Sequence, residues 1–247
     1  MTIITYNEEK NIKRCIESVQ EIADEIVIVD SLSQDATVEI AKRLGAKVIH
    51  QKFLGHIAQK QLAVDHTSND WVLSLDADEE LSDPLQQEIK KLQQQGFSSD
   101  AYSMPRVSFH LGQWIRHGGW YPDRKIRLFN KQKAHWGGYN PHDKVIVDGE
   151  VGKLSNDIKH YVFRDLRQNI DTNNSYSSIM AEDLYNNGVK FSFFKLFFKP
   201  VGKFLEVYLY KRGFLDGMPG FIIAVGASYS MFLKFAKLWE LENTTKS

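Results

Sequence analysis

Short β-branched runs alternate with stretches of helical spacing through the first hundred residues, and no other feature of the chain restricts its fold as much. Ile3-Ile4-Thr5 is a short apolar run. Ile12, Cys15, Ile16 and Val19 then recur at helical spacing, with Asn7 placed to cap and Glu8 and Glu9 in the first turn. Glu25-Ile26-Val27-Ile28-Val29-Asp30 reads as a buried strand. Ser33 to Leu44 reads as a helix, with Ser33 as cap, Val38, Ala41 and Leu44 inward and Gly45 as stop. Lys47-Val48-Ile49 is the next strand, a helix follows around Ile57 to Val64, and Trp71-Val72-Leu73-Ser74-Leu75 is a fourth strand ending at Asp76. Ser82-Asp83-Pro84 opens a helix with Leu85, Ile89 and Leu92 on one face. Such alternation predicts an α/β fold, a mostly parallel sheet with helices on both faces.

From about Asp100 the texture changes. Tyr102 to Phe109 and Ile126 to Phe129 are strand-like and lie between segments rich in Gly, Trp and His, which predicts a small α+β half packed on the first. Asp165 to Asn186 reads as a helix. A length of 247 residues allows one large domain or a core domain with an appendage. The 31 basic residues balance 31 acidic ones, which excludes a dedicated nucleic-acid binder. The single cysteine, Cys15, excludes an internal disulfide and a cysteine-based zinc site. The opening Met1-Thr2-Ile3-Ile4 lacks a basic region followed by a long apolar one, so no secretory signal is expected and the default is an intracellular protein.

The neutral total conceals an asymmetry. From Asn187 onward nine Lys and Arg face four Asp and Glu, a net of +5, which leaves −5 for the rest. Between Lys190 and Lys199 five aromatics sit among three lysines, and Lys203, Phe204, Tyr208, Tyr210, Lys211 and Arg212 extend a pattern typical of helices lying in a membrane interface. Residues 217–233 carry no charge, but a helix of that length spans only about 25 Å, short of a hydrocarbon core of about 30 Å. That segment is expected to lie on a membrane or pack on the body. An ordinary C-terminal helical hairpin or dimer contact is the other reading.

In an open α/β sheet ligands bind beyond the carboxyl ends of the strands. Three polar clusters fall there: Thr5-Tyr6-Asn7-Glu8, Asp30-Ser31-Leu32-Ser33 and Asp76-Ala77-Asp78-Glu79. Each alone is equally well turn and cap chemistry. Together they predict one crevice. Asp76, Asp78, Glu79 and Glu80 put four carboxylates into five residues where an apolar strand emerges, and a hard divalent cation with oxygen ligands would relieve their repulsion. Solvated acids opening a loop are the plainer reading. Trp114, Trp120, Tyr121 and Trp136 are either a sugar-stacking platform or core, and Arg106, Arg116, Arg124 and Arg127 are suited to anionic groups. His50, His110, His117 and His160 are among histidines that show no metal-ligand spacing.

Thr5-Tyr6-Asn7-Glu8-Glu9, Val29-Asp30-Ser31-x-Ser33-x-Asp35-x-Thr37 and Leu73-Ser74-Leu75-Asp76-Ala77-Asp78-Glu79 resemble family 2 glycosyltransferases of the GT-A (Rossmann-like) fold. Gly119-Trp120-Tyr121-Pro122-Asp123-Arg124, Ile126-Arg127-Leu128-Phe129, His142-Asp143-Lys144 and the tail Gly213-Phe214-Leu215-Asp216-Gly217 resemble a narrower branch, the bacterial lipopolysaccharide or lipooligosaccharide core β-1,4-glucosyltransferases. The resemblance implies a GT-A domain over residues 1–186, with a nucleotide-sugar half at 1–99 and an acceptor half at 100–186, followed by a basic, aromatic helical extension at 187–247. It implies an inverting enzyme that needs Mg²⁺ or Mn²⁺ and moves a hexose, glucose from UDP-glucose, to a lipid-linked saccharide such as a core heptose.

Carried over residue by residue, the resemblance places Tyr6 and Glu8 against the nucleoside, Asp30 at the base or ribose, and Lys60 near the donor. It makes Asp78 the principal metal ligand, with Asp76 toward the ribose or metal. Inversion needs a general base for the acceptor hydroxyl, and Asp143 is the candidate, with Asp123 in reserve. The branch commonly has His-Glu where this chain has His142-Asp143. Trp120, Tyr121, Arg124, Arg127 and His142 are the acceptor-side candidates. The expected location is the cytoplasm, peripheral on the inner face of the cytoplasmic membrane. The alternatives are a non-catalytic nucleotide-sugar or carbohydrate-binding module, or a glycosyltransferase acting on a polyprenyl phosphate or a protein.

Overall fold

The computed structural model describes residues 1–139 and 142–244, with the backbone alone at His142. Contacts divide the chain into two compact units, one of residues 1–107 and 123–160, the other of residues 108–122 and 161 onward.

The first unit begins with β1 (Thr2–Thr5), α1 (Ile12–Glu17), β2 (Val27–Asp30), α2 (Thr37–Arg43), β3 (Lys47–His50), α3 (His56–Asp65) and β4 (Trp71–Asp76). These strands are parallel in the order β3-β2-β1-β4. Then follow β5 (Glu79–Leu81), α4 (Asp83–Gln95), β6 (Ala101–His110), β7 (Gln113–Ile115), β8 (Asp123–Asn130), β9 (Ala134–Tyr139), β10 (His142–Val147), β11 (Val151–Lys153) and β12 (Ile158–His160). The sheet continues past β4 through β8, β6, β12 and β5, with β8 antiparallel to both neighbours, so it is parallel in its first half and mixed beyond. β9 and β10 form a separate antiparallel hairpin.

Period-two alternation assigns the two faces of the sheet. On β4, Leu73 and Leu75 join Ile3 and Ile28 against Ile12 and Ile16 of α1, Ala41 of α2, and Leu85 and Ile89 of α4. Val72, the residue before Leu73, points to the other face and joins Val64 of α3, Phe129 of β8, Trp136 of β9 and Val145 of β10. β8 makes the same division at Leu128 and Phe129. Each fully buried side chain of this size contributes about 1.5–3 kcal/mol.

Local chemistry explains most boundaries. The Ser82 hydroxyl accepts from the Leu85 N–H and Pro84 fills the first turn, which starts α4. Gly45, at φ 85°, closes α2. Two expected caps do other work. Asn7 has φ 54° and its amide oxygen accepts from the Gln34 N–H, so α1 starts only at Ile12. Ser33 is held by the Asp30 carboxylate, so α2 starts four residues later. β5 and the β9–β10 hairpin arise where the sequence showed only acids and a Gly-, Trp- and His-rich stretch.

In the second unit Phe109 at the end of β6 pairs with Trp114 of β7. The rest is helical: α5 (Leu166–Asn186), capped by Asp165, α6 (Phe193–Leu205), a π-helical turn at Glu206–Tyr210, a 3₁₀ turn at Gly213–Asp216, and α7 (Gly217–Thr244). α7 packs against α5 and α6 and is long and apolar enough to cross a membrane. The buried Asp216 carboxylate accepts from the backbone N–H groups of Arg116 and His117, and its carbonyl accepts from the Gln113 amide, which ties β7 to the start of α7. Gly220 is required there, since a Cβ would lie 1.9 Å from the Gly213 carbonyl oxygen.

Phe129 is fully buried between α3 and the hairpin. Phe129→Ala is expected to cost about 3–5 kcal/mol, read as a lower midpoint in urea unfolding.

Candidate functional site

Register places the three polar clusters side by side, because Thr5 is opposite Asp30 and Ile4 is opposite Asp76. In the first pair of loops the Ser33 hydroxyl donates to Asp30 Oδ1 at 2.5 Å and the Ser33 N–H donates to Oδ2 at 2.9 Å. Nδ1 of His50 lies 3.5 Å from Oδ2. The Asn7 N–H donates to the Ser33 hydroxyl at 2.9 Å and the Glu8 N–H to the Thr37 hydroxyl at 2.7 Å. These bonds stitch the β1 loop to the β2 loop and leave the Tyr6 ring exposed beside them. Tyr6, Glu8 and Asp30 are therefore neighbours.

At the end of β4 the expected repulsion among four carboxylates is offset within the chain, because each meets a cationic or imidazole group. Lys60, buried on α3, sets its Nζ 2.8 Å from Asp76 Oδ1 and 2.8 Å from Asp143 Oδ2. The same ammonium lies 4.6 Å from the centroid of the Trp136 ring. Arg127, buried on β8, donates from Nη2 to Asp76 Oδ2 at 2.5 Å and to Glu79 Oε1 at 2.8 Å. Arg106 donates from Nη1 to Glu79 Oε1 at 2.9 Å and from Nη2 to Asp123 Oδ2 at 2.6 Å. Glu80 meets Arg14 at 3.0 Å and Lys159 at 2.9 Å. Nε2 of His160 lies 3.3 Å from Asp78 Oδ2.

Burial alone would raise the Asp76 carboxyl, but Arg127 and Lys60 outweigh it and hold it well below the ordinary carboxylate range. Burial likewise opposes ionisation of Glu79, and Arg127 with Arg106 overcomes both that and the repulsion of Asp76, so Glu79 also lies low. Asp123 is lowered, against the cost of burial, by Arg106 and Lys125.

Lys60, Asp76, Arg106, Arg124, Lys125, Arg127, Trp136, Asp143 and Lys144 line a cavity of about 490 Å³. Of the expected site residues, Lys60, Asp76, Asp143, Arg124 and Arg127 thus come together. Asp78 lies two residues along the same loop from Asp76. Asp123 is taken up by Arg106 and Lys125, not by Arg124 or Arg127. Arg124 donates to the carbonyls of Ser103 and Leu154. Trp120 and Tyr121 belong to the second unit, where Trp120 stacks on His110 at 5.6 Å and Arg116 lies over Tyr121 at 4.9 Å. The His142 side chain lies outside the described residues.

The partners of two residues had no signal in the sequence. His160 reaches Asp78 because β12 pairs with β5, which sets His160 opposite Glu79. Arg106 stands opposite Asp123 because β6 lies beside β8, and it also reaches Glu79 of β5; no linear spacing encodes either contact. Among the described residues no three His, Cys, Asp or Glu side chains are gathered to hold a metal ion. Asp78 and His160 supply one carboxylate and one imidazole, a mixed pair better suited to Mn²⁺ than to Mg²⁺, which takes oxygen ligands, when substrate phosphates complete the shell.

The family model for glycosyl transferase family 2 matches residues 2–150. An uncharacterised glycosyltransferase of Rickettsia typhi is 38% identical over 97% of this chain and 86% of its own length. The lipopolysaccharide core biosynthesis glycosyltransferase LpsC of Rhizobium meliloti is 28% identical over 96% of this chain and 90% of its own. The structure of S. aureus TarS 1–349 in complex with UDP-GlcNAc aligns with a TM-score of 0.48 at 14% identity, over 99% of this chain and 90% of that one.

Arg127→Met removes the cation shared by two buried carboxylates and is expected to destabilise the protein by about 3–5 kcal/mol at pH 7. In the parent protein Asp76 and Glu79 have depressed pKa values, so their contribution is full above about pH 5 and is lost as pH falls through the folded values. In the variant the stranded carboxyls rise and take up protons earlier. The stability difference therefore narrows between pH 7 and pH 5, as urea unfolding at the two values will show.

Proposed function

On the premise that the chain belongs to glycosyl transferase family 2, we propose that it transfers glucose from UDP-glucose, with inversion, to a lipid-linked saccharide such as a lipopolysaccharide core heptose. The observation that carries this reading is the lining of the 490 Å³ cavity, whose six Lys and Arg outnumber the two carboxylates among them, Asp76 and Asp143, and the two that pair with them from beside it, Glu79 and Asp123. A diphosphate needs that excess of positive charge, and an inverting displacement needs a carboxylate positioned beside it. The name of the Rhizobium meliloti relative supports a lipopolysaccharide core acceptor. Transfer to such a lipid-linked acceptor is work done at the cytoplasmic face of a membrane.

Tyr6, Glu8 and Asp30, tied together between the β1 and β2 loops, hold the nucleoside. Asp78 and His160 are the residues that would hold Mg²⁺ or Mn²⁺, which when bound supplies positive charge to the departing diphosphate. Asp143 removes the proton of the acceptor hydroxyl as that oxygen bonds to the anomeric carbon and the bond from that carbon to the diphosphate breaks. Lys60 fixes Asp143 Oδ2, and among the described residues Oδ1 has no hydrogen-bond partner, so Oδ1 takes the proton. The shorter reach of Asp relative to the Glu of the resembling branch is met by this anchoring to α3.

Calorimetric titration of UDP with Mn²⁺ and with EDTA tests the donor half of the reading. Asp78→Ala is expected to lose metal-dependent binding. Asp143→Asn is expected to bind UDP unchanged and to lose about 10²- to 10⁴-fold in transfer to a heptose-terminated core lipid. Full transfer by Asp143→Asn refutes the base, and transfer to a polyprenyl phosphate alone refutes the saccharide acceptor.

A further inference from the structure

Helix α6 is built inside out. Phe194, Phe197, Phe198, Val201 and Leu205 recur at three- and four-residue spacing and so share one face. In a soluble helix that face would be covered, yet all five are exposed, Phe194 to 73% and Phe198 to 69%. The opposite side of α6 makes the packing contact: Pro200 is buried, and Phe204 lies 5.9 Å from Phe221 of α7 in an edge-to-face contact. Lys195 and Lys199 run along the flank of the apolar face, and among the described residues neither has an ion-pair partner. Beside them Phe194, Phe198, Gly202 and Met231 line a groove with Lys195, Lys199 and the Lys203–Glu206 ion pair at its edge. Met218, Phe221, Val225 and Phe232 of α7 are also exposed.

We infer that this face of α6, with the exposed apolar side chains of α7, forms a docking surface for an anionic lipid bilayer, with the Phe side chains among the upper acyl chains and Lys195 and Lys199 on lipid phosphates. Charge complementarity selects this occupant. A second copy of the chain would bring the same lysine row against itself, whereas an acidic headgroup layer neutralises it. The surface lies along the membrane and does not cross it. α7 is long enough to span, but its inner side is bonded to polar groups of α5: the Lys237 ammonium donates to the carbonyl and side chain of Asn174 and to Ser177 and Ser178. Crossing would carry that set into hydrocarbon, where polar groups are rare and costly. The inference deepens the reading above and takes from it only the lipid-linked acceptor, which this surface brings to the enzyme.

Cosedimentation of the full chain with vesicles of phosphatidylcholine, and of phosphatidylcholine with 30% phosphatidylglycerol, measures the partition. Binding is expected to the anionic vesicles, weakening steeply with salt. Lys195→Ala and Lys199→Ala are each expected to weaken it about fivefold. The double variant Phe194→Ser, Phe198→Ser is expected to weaken it about a hundredfold, with an unchanged circular dichroism spectrum and unchanged UDP binding. Equal partition onto neutral and anionic vesicles, or unaltered binding by the Phe variant, overturns the inference. So does a dimer in sedimentation equilibrium that the Phe variant dissolves, with no vesicle binding by the parent. Vesicle binding by a protein that proves to have no transferase activity would leave this surface standing and remove the function proposed above.

Discussion

A chain of alternating charges, buried at its centre, holds the strand-end cavity of the first unit together. Asp143, Lys60, Asp76, Arg127, Glu79, Arg106 and Asp123 are joined in that order by contacts of 2.5–2.9 Å. Removing such groups from water is expensive, and their attraction roughly offsets that cost without much surplus. The network therefore adds less to stability than to uniqueness. It joins β4, β5, β6, β8, α3 and the β9–β10 hairpin, and any shift of one element would strand a charge in the interior. The sheet beneath it supplies the stability, through the two apolar clusters on either side of β4 and β8.

Position and chemistry are coupled through the second of those clusters. Val145 and Trp136 bury the hairpin against α3 and β8, and Asp143 stands two residues before Val145 on the same strand. Lys60 rises from α3 to meet it across the Trp136 ring. The aromatic face below and two carboxylates beside it compensate the buried ammonium, so a flexible side chain is fixed by its surroundings. The hydrophobic packing of the hairpin thus sets where the carboxylate is presented, and the charge network sets which way it points.

Local signals in the sequence were enough for the parallel half of the sheet. The strands at 27–30, 47–50 and 71–76 are built on Val27-Ile28-Val29, Val48-Ile49 and Val72-Leu73-Ser74-Leu75, and strand-end polar clusters at Tyr6, Asp30 and Asp76 are adjacent because β1 lies between β2 and β4. Long-range pairing was not legible. Glu79-Glu80-Leu81 reads as a solvated loop, yet it is a buried strand because Arg106 and Arg127, arriving from β6 and β8, neutralise it. His160 carries no sign that it meets Asp78, eighty-two residues earlier. The expected caps at Asn7 and Ser33 failed for a related reason, since both side chains bond across loops rather than within their own helix. The amphipathic tail was legible in its pattern. Its extension into a helix of 28 residues was not, because the charges from Lys234 onward are accommodated by α5 or solvent.

The second unit is assembled from two stretches of chain, and that bears on the order in which the protein can fold. Residues 108–122 emerge from the ribosome well before their partners, and ninety-nine residues separate His117 from Asp216, the carboxylate that anchors it. At about 5–20 residues per second this interval lasts roughly 5–20 s, far longer than a small domain needs to collapse. The first unit can close its sheet in that time, since β8 follows directly. Ile115, buried in the finished molecule against Val207, Ile223 and Ala224, meanwhile waits without a core. The nascent chain therefore carries an apolar hairpin on an otherwise completed body, a natural point of capture for chaperones during its synthesis.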